Sequence, residues 1–293
     1  MSAAQFAPLS DRGFVSIIGD DARSWLDNLV TNDLAGLDRT SAVFAALLSP
    51  QGKLLFEFFV VATPGGLLLE TGRDQVAGLI KRLGLYKLRA KIAISDASAA
   101  KQAVWAPRAS PDEPEPPPSD ALTFADPRCP AGLWRGVRPT AVEASSSPTH
   151  DYTARRVALG VAEAPFDYAL GDTFPHEANF DLVDGVSFSK GCYIGQEVVS
   201  RMQNRSVVRK RVVRVIGQTP LTSGTEVTVG EAVIGRVGSV AGNAALAMLR
   251  LDRVVEALAK NLPITSNHAA IVADAVALSR YRQSVADRPV NDL

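Results

Sequence analysis

The pattern of apolar residues changes character once along this chain, near Ser206, and that change limits the folds open to it. Beyond that point short alternating runs are divided by glycine: Arg209–Ile216, Glu226–Val229, Val233–Val240, Ala244–Leu251 and His268–Val272. Turn residues stand between them at Ser223-Gly224, Gly230 and Gly242-Asn243. Period-two runs between glycine turns build a small antiparallel barrel or sandwich. Arg253–Ala259 reads as a helical insert or a further barrel strand, and the terminal residues, rich in Asp, Arg and Pro, as a frayed tail.

Before the change, strand-like runs alternate with helical stripes. Phe14–Ile18 is a strand pattern, Gly19-Asp20-Asp21 offers a helix cap, and Trp25, Leu26, Leu29 and Val30 form a stripe at helical spacing. Ala42–Leu48, Lys53–Val61 and Leu67–Thr71 read as strands, Arg73–Leu85 as an amphipathic helix and Lys91–Asp96 as a closing strand. The order β-α-β-β-β-α-β predicts a ferredoxin-like α+β unit, helices on one face of a largely antiparallel sheet. Alternation puts Glu57 on the face opposite Phe56 and Phe58, and it is expected to face solvent.

A chain of 293 residues is too long for one small core. The expected division is residues 1–96, 97–206 and 207–293, with the middle part a second α+β unit. That part holds strand-like pieces at Gln102–Ala106 and Leu133–Arg138, a helix over Thr149–Gly160, and a Pro-rich acidic loop at 110–119 that can form neither ladder nor helix.

The densest chemistry lies at Lys190-Gly191-Cys192-Tyr193-Ile194-Gly195-Gln196-Glu197, running on to Arg201. Gln196–Gln203 lacks Pro and Gly and reads as a helix, with Glu197 and Arg201 on one face. Cys192 then precedes a helix N-terminus and sits beside Lys190, and both features favour thiolate over thiol. Against this stands the ordinary lone cysteine, a small buried hydrophobe. Glu197–Arg201 reads equally as a solvated helical pair of little consequence. Upstream, Glu177 and Asn179 follow Pro175 and are expected to share one side of an extended segment, a carboxylate and an amide placed together for a ligand; the alternative is a polar loop. Asn32-Asp33 reads first as a helix-ending turn. Arg201, Arg205, Arg209, Lys210, Arg211 and Arg214 form a solvated face, or an anion site for a ligand's carboxylates or an acidic partner.

Lys plus Arg equals Asp plus Glu at 31 each, which argues against a dedicated nucleic-acid binder. Two cysteines, Cys129 and Cys192, suit a reducing compartment, and no C-x-x-C or His cluster suggests a metal site. The N-terminal residues resemble neither a signal nor a transit peptide, and no run approaches a membrane span. The expectation is a soluble cytoplasmic protein, bacterial rather than organellar.

The eight residues Lys190–Glu197 resemble the K-G-C-Y-x-G-Q-E signature of the YgfZ family, folate-binding proteins that support iron–sulfur enzymes and are related to the glycine-cleavage T-protein (aminomethyltransferase). Thr31-Asn32-Asp33-Leu34, Leu48-Ser49-Pro50-Gln51-Gly52-Lys53, Tyr86–Lys91 and the segment around Pro175 and Glu177 are similar to further family segments. The resemblance implies α+β units and a small barrel around a channel that binds tetrahydrofolate or a derivative. It implies Cys192 as the functional thiol, and Glu177, Asn179, Lys190, Gly191, Tyr193, Gly195, Gln196, Glu197 and Arg201 as cofactor-binding residues. The implied partners are a reduced folate and iron–sulfur proteins or their assembly factors; the chain itself is expected to be a monomer. The T-protein's R-x-E-x-G pattern is closest to Arg156-Val157-Ala158-Leu159-Gly160, with Ala158 in place of the acid, which favours the YgfZ branch over aminomethyl transfer. Two other readings stand beside an accessory factor: a folate-dependent one-carbon transferase or demethylase, and a cysteine-nucleophile enzyme without folate.

Overall fold

The computed structural model describes residues 6–38, 41–108, 122–140, 149–205 and 207–286. The Pro-rich loop at 110–119 and the tail beyond residue 286 lie outside them. Two compact bodies are present: one runs to Tyr152 and takes in Asp181–Gln196, the other comprises Thr153–Phe180 and the chain from Glu197 on.

The first body contains two sheets. Strands β2 (Arg12–Ile18), β3 (Ala42–Leu48), β4 (Leu54–Thr63), β5 (Gly66–Gly72) and β6 (Ala93–Asp96) make a five-stranded sheet in the order β3-β4-β5-β2-β6. Every neighbouring pair is antiparallel. Helices α1 (Ala22–Asp27) and α2 (Val76–Gly84) bury Leu26, Leu79 and Leu83 in a core with Val15, Phe58 and Leu69. This is the expected β-α-β-β-β-α-β order, preceded by β1 (Ala7–Leu9). The second sheet joins β1 to β7 (Lys101–Pro107), β9 (Leu133–Pro139) and β8 (Leu122–Ala125), in that order.

The second sheet covers the face of the first that α1 and α2 leave open. Phe59 lies 6.3 Å from Phe124 between ring centroids. Phe14 and Leu68 share a core with Trp105, Leu133 and Val137. Alternation puts Glu57 on the Phe59 side of β4, so Glu57 is 4% exposed and does not face solvent as expected. The expectation took one face of the sheet to be wet, but both are covered.

Between the sheets lies a charge network. Glu70 accepts from Arg12 Nε at 3.1 Å and from the Arg135 guanidinium. Arg135 also donates to the Tyr152 hydroxyl at 2.6 Å, and Arg128 donates to Asp126 at 2.9 Å. Burial by itself pulls the Arg135 pKa down; the neighbouring Glu70, Tyr152 and Asp126 outweigh it, and the net shift is upward.

Helix α3 (Thr149–Leu159) and helix α4 (Gln196–Arg205) run close to their expected spans, and the second body holds the barrel. The barrel is closed in the order β10-β13-β12-β11-β14-β15, with β15 returning to β10. The strands are β10 (Lys210–Gly217), β11 (Glu226–Val229), β12 (Ala232–Ala241), β13 (Ala244–Arg250), β14 (Ile264–Ser266) and β15 (Ala269–Ala273). Val215, Val227, Ala245, Ala247 and Leu249 fill it. The segment open between helix and strand is helix α5 (Leu251–Ala259), which buries Leu251, Val254 and Ala257. Helix α6 (Ala275–Ala286) follows the barrel where no element was expected. No described helix is long and apolar enough to cross a membrane.

Candidate functional site

In the first body the motif loop is held from below by the chain after α1. The Lys190 side chain is 2% exposed. Its ammonium donates to Asp27 O at 2.6 Å, Asn32 O at 2.7 Å, Val30 O at 3.1 Å and Asp27 Oδ1 at 3.1 Å. These carbonyls lie at and beyond the C-terminus of α1, where a cation is favoured. An ammonium has three protons, so Lys190 has none left for a ligand. This revises two expectations: Lys190 anchors the loop, and its charge is taken up by Asp27 and the carbonyls rather than held for Cys192 or a folate.

Thr31 and Asn32 complete the seat. Ser187 N–H donates to Thr31 O at 3.0 Å, and Thr31 Oγ1 donates to Gly185 O at 2.7 Å. Asn32 Nδ2 donates to Asp184 O at 2.6 Å and to Phe44 O at 2.9 Å. Both residues are buried, so Asn32 is more than a turn residue. Gly195 has φ +80°, and a Cβ there would lie 2.7 Å from Ser49 O. Only glycine lets the loop pass so close to the turn before β4. Ile194 packs into the α1/α2 core.

Between these anchors the loop surfaces for two residues. Tyr193 is 8% exposed and Lys190 nearly enclosed, yet Gly191 and Cys192 are exposed. A Cβ at Gly191 would meet nothing within 4 Å. Burial pushes the Tyr193 phenol up to about 12. Cys129 is half-buried against the core between the sheets.

In the second body, Pro175–Phe180 is not extended, contrary to expectation. Glu177 N–H donates to Phe174 O at 3.0 Å, Asn179 N–H to His176 O at 3.2 Å, and Asn179 has φ +65°. These turn bonds curl the segment, and Asn tolerates the left-handed angle. Asn179 Nδ2 donates to Val212 O at 2.7 Å, and Arg211 Nη1 donates to Asn179 Oδ1 at 3.2 Å. Asn179 therefore ties the turn to β10. Glu177 Oε2 accepts from Phe174 N–H at 2.9 Å; its other oxygen joins no hydrogen bond among the described residues. His176 is buried, with Nε2 3.0 Å from Gln203 Oε1.

On α4, Glu197 and Arg201 pair at 3.0 Å with side chains 80% and 66% exposed, a solvated pair. Gln196 is half-buried at the start of that helix. Of the basic cluster, Arg211 is committed to the turn, while Arg201, Arg205 and Arg209 are exposed.

The residues that sequence reasoning missed are Glu163 and Asp167. Arg156 is buried and donates to Asp167 Oδ2 at 3.0 Å, Val161 O at 2.8 Å and Ser239 Oγ at 2.9 Å. Its Nε lies 3.2 Å from Glu163 Oε2. Ala158 is exposed on α3, so the acids facing Arg156 come from the chain after the helix. Two acids within the apolar run Val161–Tyr168 were the available signal. No group of three or more His, Cys, Asp or Glu that could hold a metal occurs among the described residues.

Residues 209–279 match the family described as CAF17, C-terminal beta-barrel domain. The chain is similar to a protein of Mycosarcoma maydis named iron-sulfur cluster assembly factor IBA57 homolog, mitochondrial, at 33% identity over 231 residues, 72% of this chain and 57% of that protein. A protein of the same name from Neosartorya fischeri is 30% identical over 264 residues, 75% of this chain and 59% of that protein. The chain thus spans less than two thirds of the length of these relatives. The crystal structure of glycine cleavage system aminomethyltransferase T from Bartonella henselae superposes with a TM-score of 0.72 at 13% identity, covering 94% of this chain and 86% of that one. That likeness establishes the α+β, aminomethyltransferase-like fold with its C-terminal barrel. The relatives are named as mitochondrial, which overturns the expected cytoplasmic location. Sparse cysteine usage argues against an oxidising compartment and does not choose among reducing ones.

Proposed function

We propose that this chain, similar over most of its length to proteins named as iron–sulfur cluster assembly factors, is an accessory factor in iron–sulfur protein assembly that holds a reduced folate and presents Cys192 as its working thiol. One observation supports the thiol above all: the motif loop is anchored at Lys190 and Tyr193 and exposes only Gly191 and Cys192 between them. A loop fixed that firmly for packing alone has no need to set its thiol in solvent. In this reading Cys192 is the sulfur offered to iron–sulfur chemistry, and a partner supplies the other ligands.

The residues fit a folate in part. The second oxygen of Glu177 is open to a pterin's N–H donors. Arg205 and Arg209, in the same body as Glu177, are exposed and offer charge to a glutamate tail. Asn179 and Lys190 act one step back: Asn179 fixes the turn that carries Glu177, and Lys190 fixes the loop that carries Cys192. Tetrahydrofolate, when bound, supplies nitrogens that carry one-carbon groups. The likeness to an aminomethyltransferase is one of fold alone.

Tetrahydrofolate titrated into the purified chain, followed by calorimetry, tests the cofactor. Saturable binding that weakens on Glu177→Gln is expected, and no heat with either mono- or polyglutamylated folate removes the folate from the proposal. The thiol is tested separately: C192A is expected to retain the fold and lose rescue of iron–sulfur enzyme activity in cells lacking the native protein.

A further inference from the structure

Between Asp74 and Asp96 the chain carries Lys81, Arg82, Lys87, Arg89 and Lys91 and not one acidic residue, within a sequence balanced at 31 of each sign. Lys81 and Arg82 have a local reason, since they occupy the last turn of α2 and oppose its dipole. Lys87, Arg89 and Lys91 have none. All three are exposed, and none has an ion pair or side-chain hydrogen bond among the described residues. Interleaved with them are Leu85, 63% exposed, and Leu88, 88% exposed. A single exposed leucine needs no explanation. Leu88, however, also holds φ +41°, a left-handed backbone that a leucine adopts at a cost.

The segment is held in place. Trp25 Nε1 donates to Tyr86 O at 2.9 Å, Ala90 N–H to Lys87 O at 2.8 Å, and Lys91 N–H to Asp21 Oδ2 at 2.7 Å. A surface fixed in advance loses little conformational freedom when a partner covers it. We propose that Lys87, Leu88, Arg89 and Lys91, with Leu85 beside them, form a docking surface for an acidic segment of a partner protein that also carries apolar side chains. Three cations with no ion pair among the described residues steer carboxylates to the surface and set their register, and Leu88 supplies the apolar contact that makes the encounter persist. Two leucines without an amphipathic helix or a lipid chain are too little for stable membrane attachment, so a protein segment is the occupant. This surface stands apart from the folate reading, and neither depends on the other.

The test uses the full chain and a short fluorescent peptide of alternating glutamate and leucine, with a glutamate–serine peptide as control, read by anisotropy. The glutamate–leucine peptide is expected to bind saturably and to weaken about tenfold as salt rises from about 50 to 300 mM, because exposed charges are screened over such distances. Charge reversal in K87E/R89E should abolish binding. L88S, which leaves the charge unchanged, should weaken it several-fold, and L258S on α5 should not change it. Circular dichroism checks that each variant is folded. Absence of binding by the native chain, equal binding of the two peptides, or undiminished binding by K87E/R89E overturns the proposal. Retention of the chain on phosphatidylcholine–phosphatidylserine vesicles in preference to the peptide assigns the surface to a membrane and overturns it as well.

Discussion

The Lys190 ammonium donates to the carbonyl oxygen of Asn32 at 2.7 Å, across 158 residues of sequence. That contact joins the stretch with the most chemistry to one that reads as a simple turn. It explains why a lysine stands beside the exposed thiol: the positive charge is spent on the end of α1 and on the Asp27 carboxylate, and what it provides is position.

Removing that ammonium leaves several acceptors without a donor. Lys190→Met is expected to cost about 2–4 kcal/mol, reduced from a fully buried pair because Asp27 is partly exposed. Lys190→Arg should not restore it, since a planar guanidinium does not match a point charge ringed by carbonyls. Urea unfolding gives the answer as a lower midpoint at unchanged slope. A loss within about 0.5 kcal/mol, the usual range for a surface substitution, would show that the loop does not depend on this anchor.

Tyr193 makes the fold sensitive to alkali. Its folded pKa of about 12 lies above the ordinary tyrosine value of 10.0, so the folded chain holds the phenolic proton more tightly than the unfolded one. The corresponding stability is complete below pH 10 and is lost as pH rises through about 12. Absorbance titration of the native chain minus Tyr193→Phe should isolate one phenol with that high midpoint. A difference spectrum titrating at the ordinary tyrosine value would count against burial as the cause.

Cys192 and Cys129 should separate by accessibility. Cys192 is exposed, whereas Cys129 packs against the core between the sheets. Iodoacetamide on the native chain, read by peptide mass spectrometry, is expected to label Cys192 at least about tenfold faster, because an attacking reagent needs access as well as thiolate. Denaturation should bring the two rates together. Equal rates in the native state would mean that the motif loop does not single out its thiol.

The charge network between the sheets should behave as a unit. Arg135→Met leaves Glu70 buried with Arg12 as its remaining described partner and should cost about 3–5 kcal/mol. Glu70→Leu with Arg135→Met should cost less than the two single changes added together, because the double variant leaves no unpaired charge from this pair. Additive losses in denaturant unfolding would show that the two groups do not act on each other.

Local pattern carried the architecture. Alternation and glycine turns after Ser206 announced the barrel, and the helical stripes of α1 and α2 between strand runs announced the first sheet, because backbone period and turn geometry are properties of a few consecutive residues. The motif itself was legible for the same reason: its residue types and spacing lie within one short stretch. Tertiary structure decided what each side chain faces. Glu57 reads as a solvent residue until a second sheet is laid over its face, and Asn32 as a turn residue until the motif loop settles on it. Asn179 reads as a ligand until Val212 and Arg211 take its amide. Helix α6 gave no clear signal because its apolar stripe is weak and only its docking against the barrel, through Leu278, gives it a buried side. Whether Lys190 serves a ligand or the fold was likewise settled by Asp27, Val30 and Asn32. Hydrogen bonds and charge pairs form between whatever groups folding brings within about 3 Å, at any separation along the chain, so sequence named the polar residues of this site and only the folded chain assigned their partners.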